Sequence, residues 1–176
     1  MVDLPRTSWT DVDPERVKRE QEAMQVVAPE LEWREDLSWA GHPDLKGFDG
    51  TAPKWAAQRP APKGLDNLLG DKRLRLQVFY RESFPMTPPV LLPLDPDVPP
   101  ERRTQTVWHV NGDCSLCLMQ AADDWDPSDA AADLVAKAAG WFVEYLLLEG
   151  GHIEKISGRG IYTDTSLDGV ITEKYG

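Results

Sequence analysis

The chain is poor in the residues that staple or metallate small folds. It has 2 cysteines and 3 histidines in 176 residues. Two cysteines cannot form a disulfide framework. Cys114 and Cys117 are also so close in sequence that a bridge between them would close too small a loop to add much stability. Positive charge is scarce as well: 19 Lys and Arg stand against 30 Asp and Glu, a formal net charge of −11. Phosphate binding needs a clustered basic surface, so nucleic acid is not expected as the main partner. An acidic surface suits docking on a basic protein face, or solubility alone. Long apolar runs are missing too. The longest, AAGWFVEYLLL, contains Glu144, so no membrane span is expected. The first residues, MVDLPRTSWTDVDPERVKRE, hold no apolar signal core. These absences predict a reducing, cytoplasmic setting. There is no internal repeat, and with 41% apolar residues a single domain over 1–176 has enough material for a core.

What is present reads as an α+β chain. The segment DVDPERVKREQEAMQVV predicts a first helix. Asp13 suits its cap, Pro14 its first position and Glu15 the positive end of its dipole, while Val17, Ala23, Met24 and Val27 form the apolar stripe. LEWREDLSWAG predicts a first strand. HPDLKGFDGTAPKWAAQRPAPKG, rich in Pro, Gly and Ala, predicts a long surface excursion over about 41–63. KRLRLQVFYRESFP is the clearest strand, with Leu74, Leu76 and Val78 alternating against Arg73, Arg75 and Gln77. The prolines of FPMTPPVLLPLDPDVPP forbid a helix and a central strand, leaving a short strand at Val90, Leu91 and Leu92. DPSDAAADLVAKAAGWFVEYLLLEGG predicts the second long helix, capped by Ser128 or Asp129 and ended by Gly150 and Gly151. In the tail, GRGIYTD predicts a short strand. Seven tryptophans are expected in the core or lining a groove.

Both cysteines fall in one irregular stretch, HVNGDCSLCLMQAADDWDP. Three readings of it compete. His109, Cys114 and Cys117 are three candidate zinc ligands, but structural zinc wants four, usually as two separated pairs. A redox C-x-x-C wants a helix N-terminus next to its thiols, whereas Pro127 and several acidic residues separate these from the next helix. The plainest reading makes both cysteines small buried hydrophobes.

The same stretch resembles the active-site region of ubiquitin-conjugating (UBC) enzymes, which carry His-Pro-Asn, a short loop, an apolar residue, the catalytic Cys and Leu. Here His109-Val110-Asn111 leads to Leu116-Cys117-Leu118. Trp125 and Pro127 stand at the family's spacing from Cys117, and not from Cys114. Upstream, Phe84-Pro85-Met86-Thr87-Pro88-Pro89 resembles the family's Tyr-Pro-Phe-x-Pro-Pro, and the first helix sits where the family's does. The likeness covers roughly 13–150. It departs at Val110, in a shorter loop before Cys117, in a longer segment from Pro89 to His109, in the 41–63 excursion, and in a tail that lacks the C-terminal helices of eukaryotic members. These departures resemble a divergent bacterial member.

The resemblance implies a UBC-like fold: an N-terminal helix, an antiparallel meander, a Pro-rich turn and active-site loop, then a long helix. It implies a transferase in which Cys117 takes up the C-terminal glycine of a carrier protein as a thioester and passes it to an amine. The implied carrier is a ubiquitin-like protein or, as in the CBASS antiphage operons, a cGAS-like nucleotidyltransferase, with or without an activating enzyme; no cofactor and no metal are expected. Asn111 becomes an oxyanion donor or a loop brace. His109 becomes a hydrogen-bonded brace of the loop rather than a base. Asp123, Asp124 or Asp126 would orient or deprotonate the amine, or form a solvated turn. Trp125 and Pro127 would pack the loop. Two alternatives remain open: a catalytically inactive UBC-fold binding module, and a zinc or redox C-x-x-C protein.

Overall fold

The computed structural model describes residues 7–121 and 124–176. A short helix α1 (Trp9–Val12) leads into α2 (Pro14–Val27). The Asp13 carboxylate accepts the Arg16 amide at 2.9 Å and Pro14 sits in the first turn, as the sequence predicts. Four strands follow: β1 (Leu31–Trp39), β2 (His42–Thr51), β3 (Arg75–Phe79) and β4 (Val90–Asp95). They pair antiparallel in chain order, so the sheet is a meander. The fold is thus α+β, as expected.

Strand β2 corrects the predicted excursion, whose first half lies inside the sheet. Its glycines are there for backbone approach and not for flexibility. A Cβ at Gly47 would sit 1.7 Å from the Val78 carbonyl oxygen, and one at Gly50 would sit 2.0 Å from that of Glu30. Ala40 and Gly41, with φ of 51° and 81°, make the two-residue turn that pairs Trp39 with His42. The irregular chain is confined to 52–64, before the short helix α3 (Leu65–Leu69).

Strand β3 keeps the predicted alternation, with Leu74, Leu76 and Val78 buried toward the main core. On the sheet's other face Phe79 meets Leu37 and Val90 in a smaller cluster. Strand β4 runs longer than predicted and includes Pro93, which an edge strand tolerates.

The long helix α4 (Ala131–Glu149) is buried around nearly its whole circumference. The predicted caps are not used. Ser128 and Asp129 spend their side chains on a turn: Asp126 accepts the Ser128 amide and hydroxyl, and Asp129 accepts the Asp126 amide. A carboxylate from α2 caps α4 instead. Glu20, itself buried, accepts the Ala131 amide at 2.9 Å and the Tyr80 hydroxyl at 2.7 Å through Oε2, and the Arg16 guanidinium at 3.0 Å through Oε1. The same guanidinium donates to the Pro127 carbonyl at 2.6 Å and to that of Asp129, and lies 4.8 Å over the Phe84 ring. Burial and the neighbouring Glu20 push the Tyr80 hydroxyl well above its ordinary pKa, so it stays a donor.

Helix α4 ends at Gly150 and Gly151, as predicted. The strand predicted at GRGIYTD is absent. The Gly160 carbonyl accepts the amides of both Thr163 and Asp164, closing turns, and Ile161 drops into the core. An additional helix, α5 (Asp168–Tyr175), packs against α3. Arg59 of the irregular segment ties this tail down, gripping the Asp168 carboxylate at 2.8 and 3.2 Å and the carbonyls of Ile161 and Tyr162. Among the described residues no helix is long and apolar enough to cross a membrane.

Removing one partner of a buried ion pair strands the other, at a typical cost of about 3–5 kcal/mol. Glu20→Ala is therefore expected to lower the unfolding free energy by about 3 kcal/mol or more in urea titration. Lys18→Ala, which removes an exposed pair with Glu22, should change it by less than about 1 kcal/mol.

Candidate functional site

The cysteine-bearing loop is a narrow hairpin anchored at both shoulders. Val110 and Leu116 pair across it and are both buried. The Cys117 amide donates to the His109 carbonyl at 2.8 Å, the Asn111 amide to that of Ser115 at 2.8 Å, and the Cys114 amide to that of Asn111 at 2.9 Å. The Leu116 amide donates to the Leu91 carbonyl at 2.8 Å, fastening the loop to β4. His109 and Cys114 take positive φ, 52° and 73°, which lets so short a loop reverse.

Asn111 is spent largely on that loop. Its Oδ1 accepts from Gln105 at 2.7 Å and its Nδ2 donates to the Ser115 hydroxyl at 3.0 Å. Asp113 fixes Ser115 in turn, accepting its amide and hydroxyl. The second Nδ2 proton has no partner among the described residues. Downstream, Trp125 donates from its indole to the Pro85 carbonyl at 2.8 Å and so packs the loop against the Pro-rich turn.

The two cysteines differ in setting. Both are free thiols. Cys114 sits at the hairpin's reversal and leans on the core. Cys117 faces an open cleft of about 320 Å³, with its Sγ 3.7 Å from the Met119 carbonyl. Its walls are the segment after Cys117, the inner face of α4 with Trp141 and Glu144, and the stretch 156–163. Burial pushes the Cys117 thiol above its ordinary pKa.

His109 and Asp124 line the same cleft. His109 braces the loop through its backbone carbonyl, while its imidazole makes no hydrogen bond among the described residues. Burial, and secondarily the charge of Lys155, lower its pKa, so the ring is neutral near pH 7. The Asp124 carboxylate accepts the Gln120 and Ala121 amides at 2.7 and 3.0 Å, and these bonds hold its pKa down. It ties the turn that follows Cys117. Asp126 is held down similarly by Ser128. Asp123 lies outside the described residues.

Sequence reasoning passed over Glu144, although it is the charge that interrupts the longest apolar run. Its side chain is wholly buried on α4. Oε1 accepts the Ser157 hydroxyl at 2.5 Å and amide at 3.3 Å, which holds the 156–163 segment to the helix. Oε2 accepts no well-formed hydrogen bond among the described residues. Burial pushes this carboxyl up to about 6, with the Ser157 bonds and the Ile161 amide opposing the rise.

The zinc and redox arrangements find no support in this geometry. Among the described residues, no group of three or more His, Cys, Asp and Glu is placed to hold a metal ion. Among the described residues the next α-helix starts at Ala131, well past both thiols, so neither thiol sits at its N-terminus.

A carboxyl whose folded-state pKa is raised binds its proton more tightly in the folded than in the unfolded chain, so stability falls as pH rises between the two values. For Glu144, a rise from 4.5 to about 6 corresponds to about 2 kcal/mol lost across that window. Glu144→Gln should flatten this part of the stability profile, as read by urea unfolding at pH 4.5 and pH 7. No protein-family model and no curated protein sequence matches the chain.

Proposed function

We propose that this chain is a UBC-like conjugating enzyme that carries an acyl group on Cys117. The observation that supports this most is the separation of its two thiols: the cysteine at the family's spacing from Trp125 and Pro127 is the one on the cleft, and the other is turned to the core. The element order adds to it, with an N-terminal helix, a four-stranded antiparallel meander, the cysteine loop and then a long buried helix.

The carrier arrives as an activated acyl group at its C-terminal glycine. The Cys117 thiolate attacks that carbonyl carbon, the activating group leaves, and the carrier is held as a thioester. An amine then attacks the same carbon and the thiolate departs. A raised thiol pKa is compatible with this exchange because the incoming acyl group is already activated. Asn111 braces the hairpin and offers its remaining Nδ2 proton to the oxyanion, as the family's asparagine would. The neutral His109 imidazole is in the protonation state of a proton acceptor, and Asp124 keeps the turn after Cys117 in shape. The proposed carrier is a Gly-ended protein, either a cGAS-like nucleotidyltransferase or a ubiquitin-like protein, in a bacterial antiphage system of the CBASS kind.

A raised thiol pKa without a cationic partner would also suit an inactive module of the same fold that only binds such a carrier, and the experiment separates the two. The protein is incubated with a Gly-ended carrier, ATP and any activating enzyme encoded beside it, and run on reducing and non-reducing gels. A thiol-labile adduct is expected with the native protein and with Cys114→Ala, and none with Cys117→Ala. Asn111→Ala should slow its formation by about 10²–10³. Carrier binding without any adduct would favour the inactive module. Equal loss on replacing either cysteine would overturn the assignment of Cys117.

A further inference from the structure

Cys117 opens on two cavities rather than one. Beside the cleft of about 320 Å³ lies a second, of about 310 Å³, which Gln105 and Met119 help to line. Both are bordered by His109, Cys117, Leu118, Gln120 and Gly158, so these residues form the partition between them. One contact in that partition joins opposite walls. The Gln120 side-chain amide reaches from the segment after Cys117 and donates to the Gly158 carbonyl of the outer wall.

Both ends of this bridge are held in place. The Gln120 backbone amide donates to the Asp124 carboxylate at 2.7 Å, which fixes the point from which the side chain extends. Opposite, residues 157–160 form an arch with pinned feet. Ile156 is buried and donates its amide to the Val107 carbonyl at 2.9 Å, and Ile161 is buried at the other end. Within the arch the Gly160 amide donates to the Ser157 hydroxyl at 3.1 Å. A Cβ at Gly158 would sit 2.7 Å from Gln120 Nε2, so glycine leaves the room in which that amide lies. Apart from the adjoining residues, nothing but the Gln120 side chain comes within 4 Å of that position.

We propose that Gln120 determines what reaches Cys117, by bridging to Gly158 across the approach to the thiol. With the bridge closed, a group that lies along both cavities must pass beside Cys117 and under one side chain, and only a slender segment fits. With it open, the two cavities are one groove. Gln120 and Gly158 are both exposed, and water competes for a hydrogen bond at the surface, so its net worth is small. The bridge therefore opens and recloses readily, and the open fraction scales the rate for any bulky group. Neither residue supplies a group to the reaction; the effect is on access alone. For the carrier, a point that rests on the thioester reading above, the bridge selects a tail without side chains at its last residues.

Access at the thiol can be read without a carrier. In a Cys114→Ala background, Cys117 is treated with methyl and with benzyl methanethiosulfonate, and the adducts are timed by intact-mass spectrometry. Both reagents are neutral and react alike: the thiolate takes the alkylthio group and methanesulfinate leaves. The ratio of benzyl to methyl rates is referred to that of the same protein unfolded in urea. In the folded parent it should be depressed about fivefold to tenfold, the opening equilibrium that one exposed hydrogen bond sets. Gln120→Ala should restore it to within about twofold, and Gly158→Ala should do the same by displacing the side chain. Gln120→Glu, equal in size, sets a carboxylate against the carbonyl and should restore it too, which separates the bond from mere bulk. Circular dichroism and urea unfolding establish that the variants are folded. A ratio equal in folded and unfolded protein, or one that none of the three variants changes, overturns the inference. Loading of Cys117 by thiol exchange is then compared for peptide α-thioesters ending in Gly-Gly and in Ala-Ala. Gln120→Ala should raise Ala-Ala relative to Gly-Gly by a like factor, and an unchanged preference would overturn the selection of the tail. Failure of both peptides to load, with the reagent ratios as expected, would overturn the thioester reading and leave the control of access standing.

Discussion

The architecture depends on one buried junction, the contact of Arg16 and Glu20 with the start of α4. A helix N-terminus leaves backbone amides without partners, and a buried one must have them supplied. Here the side chain comes from another helix. Glu20 takes the Ala131 amide, and Arg16 takes the carbonyls of Pro127 and Asp129 just ahead of it. The pair therefore reads the chain on both sides of the turn into α4 and fixes where that helix begins. Tyr80 joins from the end of β3, so sheet, first helix and central helix meet at one charged point. Such pairs are poor sources of net stability, because desolvation offsets most of the attraction. Their geometric demand is strict, and here it sets the register of the helix that carries Trp141 and Glu144 to the cleft.

The cleft has three walls of different origin. The cysteine hairpin hangs from β4 through the Leu116 amide, α4 supplies the floor, and the outer wall is the turn-rich chain after α4. That outer wall has little regular structure of its own. It is held by Ser157 on Glu144, by Gln120 on the Gly158 carbonyl, and by Arg59 reaching across from the segment before α3. The site is thus assembled from distant parts of the sequence, and its polar groups are those that also join the walls.

How much of this was legible in the sequence varied with the kind of signal. Helix α2 and strand β3 could be read because their patterns are local: a cap with a proline for one, strict alternation for the other. Periodicity locates helix α4 but not its cap, since Ser128 and Asp129 have the right chemistry for one and the true partner, Glu20, is far away in sequence. Strand β2 reads as a loop in the sequence because Gly47 and Gly50 look like breakers, whereas at both positions a side chain would collide with the neighbouring backbone. At the site, the spacing from Trp125 and Pro127 singled out Cys117, the thiol that lies on the cleft. Glu144 was seen only as a charge that rules out a membrane span. Its place beside the cleft depends on how α4 is rotated, which residues nearby in sequence do not determine.

The anchoring of the outer wall has a consequence for the order in which the molecule is made. Arg59 is synthesised well before Ile161, Tyr162 and Asp168, which it grips across sequence separations of 102, 103 and 109 residues. Until those are made, the hairpin with its thiol can already lie against the sheet while one side of the cleft is missing. In a growing chain Cys117 therefore precedes the outer wall of its cleft, and that wall can form only after the stretch 156–168 has been added.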